Sequence, residues 1–204
     1  MRIPSQRECY RLMMRMGMLE NIMTHSLQVC RVASWISDQL RRQGVDINHK
    51  LVRAGALLHD ITKSRSIKTG EMHSETGSGY LIELGYPEVG DIVRQHVKLD
   101  VYFELATPTE AEIVNYADKR VLHDRIVSLQ ERMRYILERY GKSPAARNGY
   151  TWLREKSIEL ENRIFNLLPI QPERLEQSLH TVDLAEQLNQ VLTSLDNTEG
   201  QKNG

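Results

Sequence analysis

Hydrophobic residues recur along this chain at steps of three and four almost from end to end, the spacing of one buried helical face. The clearest stripe is Ile22, His25, Val29, Val32, Ile36 and Leu40, which predicts one long helix closed by Gly44. Before it, Ser5-Gln6-Arg7-Glu8 has the form of a capping box and opens a shorter helix that stops near Gly17. A third helix from Asn48 carries Leu51, Ala54, Gly55, Leu58 and Ile61 inward, and the polar, basic stretch from Thr62 to Gly70 reads as a loop. Ser74 to Leu84 forms a short helix closed by Gly85. Pro87 suits the first turn of the next, whose Val89, Ile92, Val93 and His96 share a face. Thr109-Glu110-Ala111-Glu112 is a second capping box, predicting a long helix to Tyr140 with Ile113, Val114, Ala117 and Val121 inward.

Gly141 and Ser143-Pro144 punctuate the chain before another helix, which ends near Leu168-Pro169. The last helix follows Pro172 and turns Leu175, Leu179, Val182, Ala185, Leu188, Leu192 and Leu195 inward. No segment alternates as a strand, and no repeat stands out. The expected architecture is all-α: one helical domain over residues 1–140, a helical extension over 141–196 packing on it, and a disordered tail over 197–204.

Composition narrows the chemistry. The chain has 204 residues, 40% of them hydrophobic, enough for a core although aromatics are only 6%. Net charge is zero, so no general attraction to nucleic acid or to a membrane surface is expected. Cys9 and Cys30 have neither metal-ligand spacing nor a disulfide framework, and read as small buried apolar residues. The N-terminus is charged and polar with no apolar h-region, and no run approaches the ~18 apolar residues of a membrane span. A cytoplasmic protein is expected.

One pair resists a packing explanation. His59-Asp60 ends the apolar run Leu57-Leu58, where an unpaired carboxylate is costly and a cation is the simplest remedy. His25, His73, His96 and Asp118 each fall on the core-facing side of a predicted helix and supply further donors. Imidazole and carboxylate without thiolate suit Zn, Fe, Mn, Ni or Co. The set exceeds what one tetrahedral ion needs and fits two ions sharing a carboxylate.

The order His25, His59-Asp60, His73, His96, Asp118 resembles the HD-domain superfamily of metal-dependent phosphohydrolases, over roughly residues 20–140. His59-Asp60-Ile61-Thr62-Lys63 also resembles the family's His-Asp-x-x-Lys form, with Thr62 where a Gly is usual. The resemblance implies an HD-domain helical bundle and, with six ligand positions, its binuclear branch. That branch includes symmetrical diadenosine tetraphosphate hydrolases and cyclic-dinucleotide phosphodiesterases. By the same resemblance, His25, His59, Asp60 and Asp118 hold one divalent ion, and Asp60 bridges to a second completed by His73 and His96. Gly85-Tyr86-Pro87, the letters that name the HD-GYP enzymes, lies between His73 and His96 and reads as helix punctuation. Cyclic di-GMP hydrolysis is therefore disfavoured.

Two ions sharing a water bring hydroxide within reach of neutral pH, and that hydroxide attacks phosphorus while the ions offset the growing charge. The expected function is hydrolysis of a phosphoester or phosphoanhydride in a nucleotide-like small molecule. Asp60 and Lys63 are the expected catalytic residues, with Lys63 meeting a phosphoryl oxygen or the leaving group and Arg65 and Lys68 reaching more distal phosphates. Three other readings stay open: a single ion with His73 and His96 as phosphate donors, a mononuclear 5′-nucleotidase, and a nucleotide-sensing scaffold with a structural metal. A homodimer through the Leu-rich last helix is compatible with the pattern. His49, His123 and His180 fall outside the constellation. Lys119, Arg120 and Arg125 read as a solvated helix face, and Arg147 and Tyr150-Thr151-Trp152 as a segment able to cover the site.

Overall fold

The computed structural model describes residues 1–200, with side chains through Leu195. Its helices are α1 (Gln6–Arg15), α2 (Glu20–Arg42), α3 (His49–Leu58), α4 (Lys63–Thr69), α5 (His73–Glu83), α6 (Pro87–Gln95) and α7 (Glu110–Asp118). A hairpin of β1 (Val121–Leu122) and β2 (Arg125–Ile126) follows, then α8 (Leu129–Tyr140) and α9 (Pro144–Phe165). Two 3₁₀ turns, Pro172–Arg174 and Glu176–Ser178, lead to α10 (Leu184–Gly200). The all-α expectation stands.

The two capping boxes form as read. Ser5 and Glu8 exchange bonds at the start of α1, and Thr109 and Glu112 do so at α7. Pro87 opens α6, and Gly85, at φ 82°, makes the left-handed turn that ends the segment before it. Apart from the partly exposed His25, the stripe of α2 is buried from Ile22 to Leu40, against α3, α7 and β1. α3 packs on α6 through Gly55, where a Cβ would stand 2.6 Å from Ile92 Cγ2, so the small residue sets the spacing of two site-bearing helices.

Three expectations change. The segment from Thr62 to Gly70 is helix rather than loop. Thr62 Oγ1 donates to the His73 carbonyl at 2.9 Å, Ser64 Oγ accepts from Leu19 N–H at 2.9 Å, and Gly70 closes the turn at φ 74°. The helix expected to run to Tyr140 ends at Asp118, and the chain folds back as a hairpin in register Val121↔Ile126 and Leu122↔Arg125. The apolar residues Val121, Leu122, Ile126 and Val127 flank a turn at His123-Asp124, a strand–turn–strand pattern that the helical stripe masked. The last helix begins at Leu184, not after Pro172, so its stripe is Leu184, Leu188 and Leu195, while Val182 and Ala185 are exposed. Of the tail expected over 197–204, residues 197–200 fall in α10 and 201–204 lie outside the described residues.

Lys119 and Arg120, expected on a solvated face, are each only 3% exposed. Arg120 donates from Nε to Val127 O (2.7 Å), from Nη1 to Tyr116 OH (2.5 Å) and Glu161 Oε2 (3.3 Å), and from Nη2 to Pro172 O (3.0 Å). This network docks α9 and the first 3₁₀ turn on α7. Arg125 is exposed, as expected. His49 is not freely solvated: its ring bonds Ser37 Oγ at 2.7 Å and lies 3.1 Å from Asp38. Cys9 and Cys30 are free thiols, pushed up by burial to about 12 and about 11, which makes both unreactive at neutral pH.

Candidate metal centre

The six residues singled out in the sequence converge at one place. His59 and Asp60 follow the C-terminal end of α3, His25 comes from α2, His73 opens α5, His96 caps α6 and Asp118 ends α7. His59, Asp60 and His96 are buried to within 3% of full exclusion, whereas His25, Asp118 and His73 keep some exposure on the open side.

Asp60 lies at the middle. Its Oδ2 is 3.4 Å from His59 Nε2, while Oδ1 is 3.1 Å from His73 Nε2 and 3.5 Å from His96 Nε2. Asp118 Oδ1 is 3.1 Å from His25 Nε2 and 3.7 Å from His59 Nε2. Two overlapping groups result, His25, His59 and Asp118, and His59, Asp60 and His96, each with donor atoms close enough to share an ion. The carboxylate of Asp60 offers one oxygen to each side.

Backbone carbonyls fix the rings. His59 Nδ1 lies 2.8 Å from Ala56 O, His96 Nδ1 lies 2.6 Å from Val93 O, and His25 Nδ1 lies 2.7 Å from His123 O. A carbonyl only accepts, so in the neutral ring Nδ1 carries the proton and the Nε2 lone pair points inward. This is the outer support that metal-ligating histidines ordinarily have. His59 Nε2 is fully buried with no hydrogen-bond partner, a lone pair facing carboxylate oxygens. Such an arrangement calls for a cation, and the donor set fits a divalent transition metal.

Protonation follows the same crowding. Burial opposes charge on Asp60, but His59, His73 and His96 hold its carboxyl well below the usual range. Asp118 is also held well below it, with burial outweighed by His25, Arg132 and His59. Burial pulls His59 toward neutrality, yet the charges of Asp60 and Asp118 raise its pKa, whereas burial wins at His96 and lowers it.

Lys63, on the first turn of α4, extends back to Asp60, with Nζ 3.3 Å from Oδ1 and 3.2 Å from Oδ2. It is about one-third exposed (36%), so it borders both the carboxylate and the open side. Arg65 does not reach the cluster and pairs with Glu71. Lys68 is exposed near the end of α4. Trp152 packs on Tyr102 and Lys98.

Sequence reasoning missed the supports. Asn115 Nδ2 donates to the carbonyls of Gln95 (2.9 Å) and His96 (3.0 Å). Lys119 Nζ donates to His96 O (3.3 Å), Val97 O (3.4 Å) and Asn115 Oδ1 (2.7 Å). Together they satisfy the carbonyls left at the end of α6 and hold His96 in place. Burial among these neutral acceptors pushes the Lys119 ammonium down to about 8. His123, at φ 58°, has a left-handed backbone that aims its carbonyl at His25. Arg132 of α8 approaches Asp118 Oδ1 to 3.8 Å. The one local clue was the i, i+4 spacing of Asn115 and Lys119 on α7.

Comparison with known proteins agrees with the geometry. The model of the HD domain family matches residues 22–121, a stretch that holds all six cluster residues and Lys63. Over this stretch the chain is similar to the HD domain family, whose members are typically metal-dependent hydrolases. An uncharacterized protein of Methanocaldococcus jannaschii is 29% identical over 137 residues, covering 61% of this chain and 80% of that protein. No solved structure matches significantly. Among the described residues, no helix is long and apolar enough to cross a membrane.

Proposed function

We propose that the chain hydrolyses a phosphoester or phosphoanhydride of a small, nucleotide-like molecule at a two-ion centre. His25, His59, Asp60 and Asp118 would hold one ion, and Asp60, His73 and His96 the other. The observation that carries this reading is His59: its Nδ1 is committed to Ala56 O, and its buried Nε2 has no partner but the carboxylates around it. The split of Asp60 Oδ1 and Oδ2 between His73 and His59 supports two ions over one.

Divalent ions held there would lower the pKa of a bound water and draw charge from phosphoryl oxygens. Lys63 stands at the open side with its ammonium charged, because Asp60 and Asp118 outweigh the effect of burial and raise its pKa. It is placed to meet a phosphoryl oxygen or the departing oxygen. The histidines orient and do not shuttle protons, since each proton-bearing Nδ1 of His25, His59 and His96 is tied to a carbonyl.

The test is turnover of p-nitrophenyl phosphate, its bis ester and a nucleotide panel by protein loaded with Mn, Ni or Co. Metal-stimulated hydrolysis of at least one substrate is expected, and Asp60→Ala should reduce it to the metal-free level. Wild-type turnover no greater than that of Asp60→Ala on every substrate would refute the reading.

A further inference from the structure

A buried arginine donor that finds no hydrogen-bond acceptor is costly. Arg132 has such a donor. Its side chain is 15% exposed and its Nε is fully buried with no hydrogen-bond partner. Its nearest counter-charge, Asp118 Oδ1, is 3.8 Å from Nη2, beyond hydrogen-bonding distance. Arg120 shows what this chain does when an arginine serves only as glue: Nε, Nη1 and Nη2 all find oxygen acceptors at 3.3 Å or less.

Arg132 is also held in place. Ser128 caps α8 by accepting from Glu131 N–H at 3.1 Å. The guanidinium lies 5.7 Å from the centre of the Tyr135 ring, and that ring meets the edge of His123, whose carbonyl holds His25. The helix therefore flanks the open side of the cluster, with Arg132 beside Asp118 and Lys63 beside Asp60.

We propose that Arg132 is a phosphate-binding residue of this site, presenting its planar fork to the non-bridging oxygens of the substrate's phosphoryl group. The proposal rests on the phosphohydrolase reading above. With Asp118 committed to a cation, the guanidinium would lose the anion it lies beside, 3.8 Å from Nη2, and be free to take another. A tetrahedral oxyanion matches that fork in charge and in shape. Arg132 beside Asp118 and Lys63 beside Asp60 would then both be available to the phosphoryl group.

Inorganic phosphate, titrated calorimetrically into metal-loaded protein, is the probe, with metal content and unfolding midpoint measured on the same samples. Arg132→Gln should keep the wild-type metal content and bind phosphate about ten- to a hundredfold more weakly. Arg132→Lys should fall between, since an ammonium supplies charge without the fork. Wild-type phosphate affinity in Arg132→Gln overturns the proposal, as does loss of metal from it, which would make Arg132 a positioning partner of Asp118. If Arg132→Gln does not fold, Arg132→Lys decides, and wild-type affinity there overturns the proposal equally. Metal-loaded wild-type protein that turns over substrate but binds no phosphate sinks the proposal alone. Wild-type protein with no metal-dependent turnover sinks the phosphohydrolase reading on which it rests.

Discussion

Two ionic clusters lie inside this molecule on different faces of α7, and they are built to opposite ends. In one, Arg120, Tyr116 and Glu161 satisfy one another and take the carbonyls of Val127 and Pro172 as further acceptors. In the other, Asp60 and Asp118 face inward-pointing imidazole nitrogens, and one of those, His59 Nε2, has no hydrogen-bond partner. The first cluster is complete as it stands and joins α9 to the bundle. The second leaves inward donors unanswered and has the chemistry to take a cation. Burial and charge alone do not mark a functional site; unanswered donors and acceptors do.

The comparison breaks most visibly through stability. Arg120→Ala leaves Glu161 and the Tyr116 hydroxyl without their shared partner, and should cost about 3–5 kcal/mol in denaturant unfolding. Metal content per folded molecule should not change. If Arg120→Ala instead strips the metal while unfolding normally, the two clusters are not separate. A smaller loss is expected from Gly55→Ala, whose Cβ would press on Ile92 Cγ2 at 2.6 Å. That crowding should cost about 1–3 kcal/mol and loosen metal binding too, because α3 and α6 carry His59 and His96. Full stability in Gly55→Ala would show that the helices separate freely.

The six-residue cluster was legible because ligands must face the core, and the helical period shows which residues do. Capping boxes at Ser5 and Thr109 and the punctuation at Gly85 and Pro87 were legible because they are local. The hairpin after Asp118 was not, since Val121 continues the apolar stripe of α7 and only pairing with Ile126 distinguishes strand from helix. Lys119 and Arg120 were misread because their acceptors are carbonyls distant in sequence, at His96, Val97, Val127 and Pro172. Arg132 carried no local signal at all. The rule that places charge on the surface fails where the fold brings acceptors to it, and no pattern within one helix records that.

Proton competition gives the smallest expected effect and sharpens the contrast further. In metal-free protein the charges of Asp60 and Asp118 outweigh burial and raise the His59 pKa above its ordinary 6.5, so on acidification a proton competes for the nitrogen that a cation requires. Metal affinity should therefore fall as pH drops through that raised value, by up to about tenfold per unit for one displaced proton, and level off above it. The Arg120 cluster should show no such dependence. Zinc or manganese titrations between pH 6 and 8 test this, and a flat profile contradicts the assignment of His59.

The most direct measurement counts ions. Wild-type protein and His73→Ala, purified without chelator and loaded with Mn or Co, are compared by elemental analysis and anomalous scattering. The account predicts about two ions per wild-type chain, bridged by Asp60, and about one in His73→Ala, held by His25, His59, Asp60 and Asp118. No bound ion in wild-type protein, or the same count in both proteins, would contradict it.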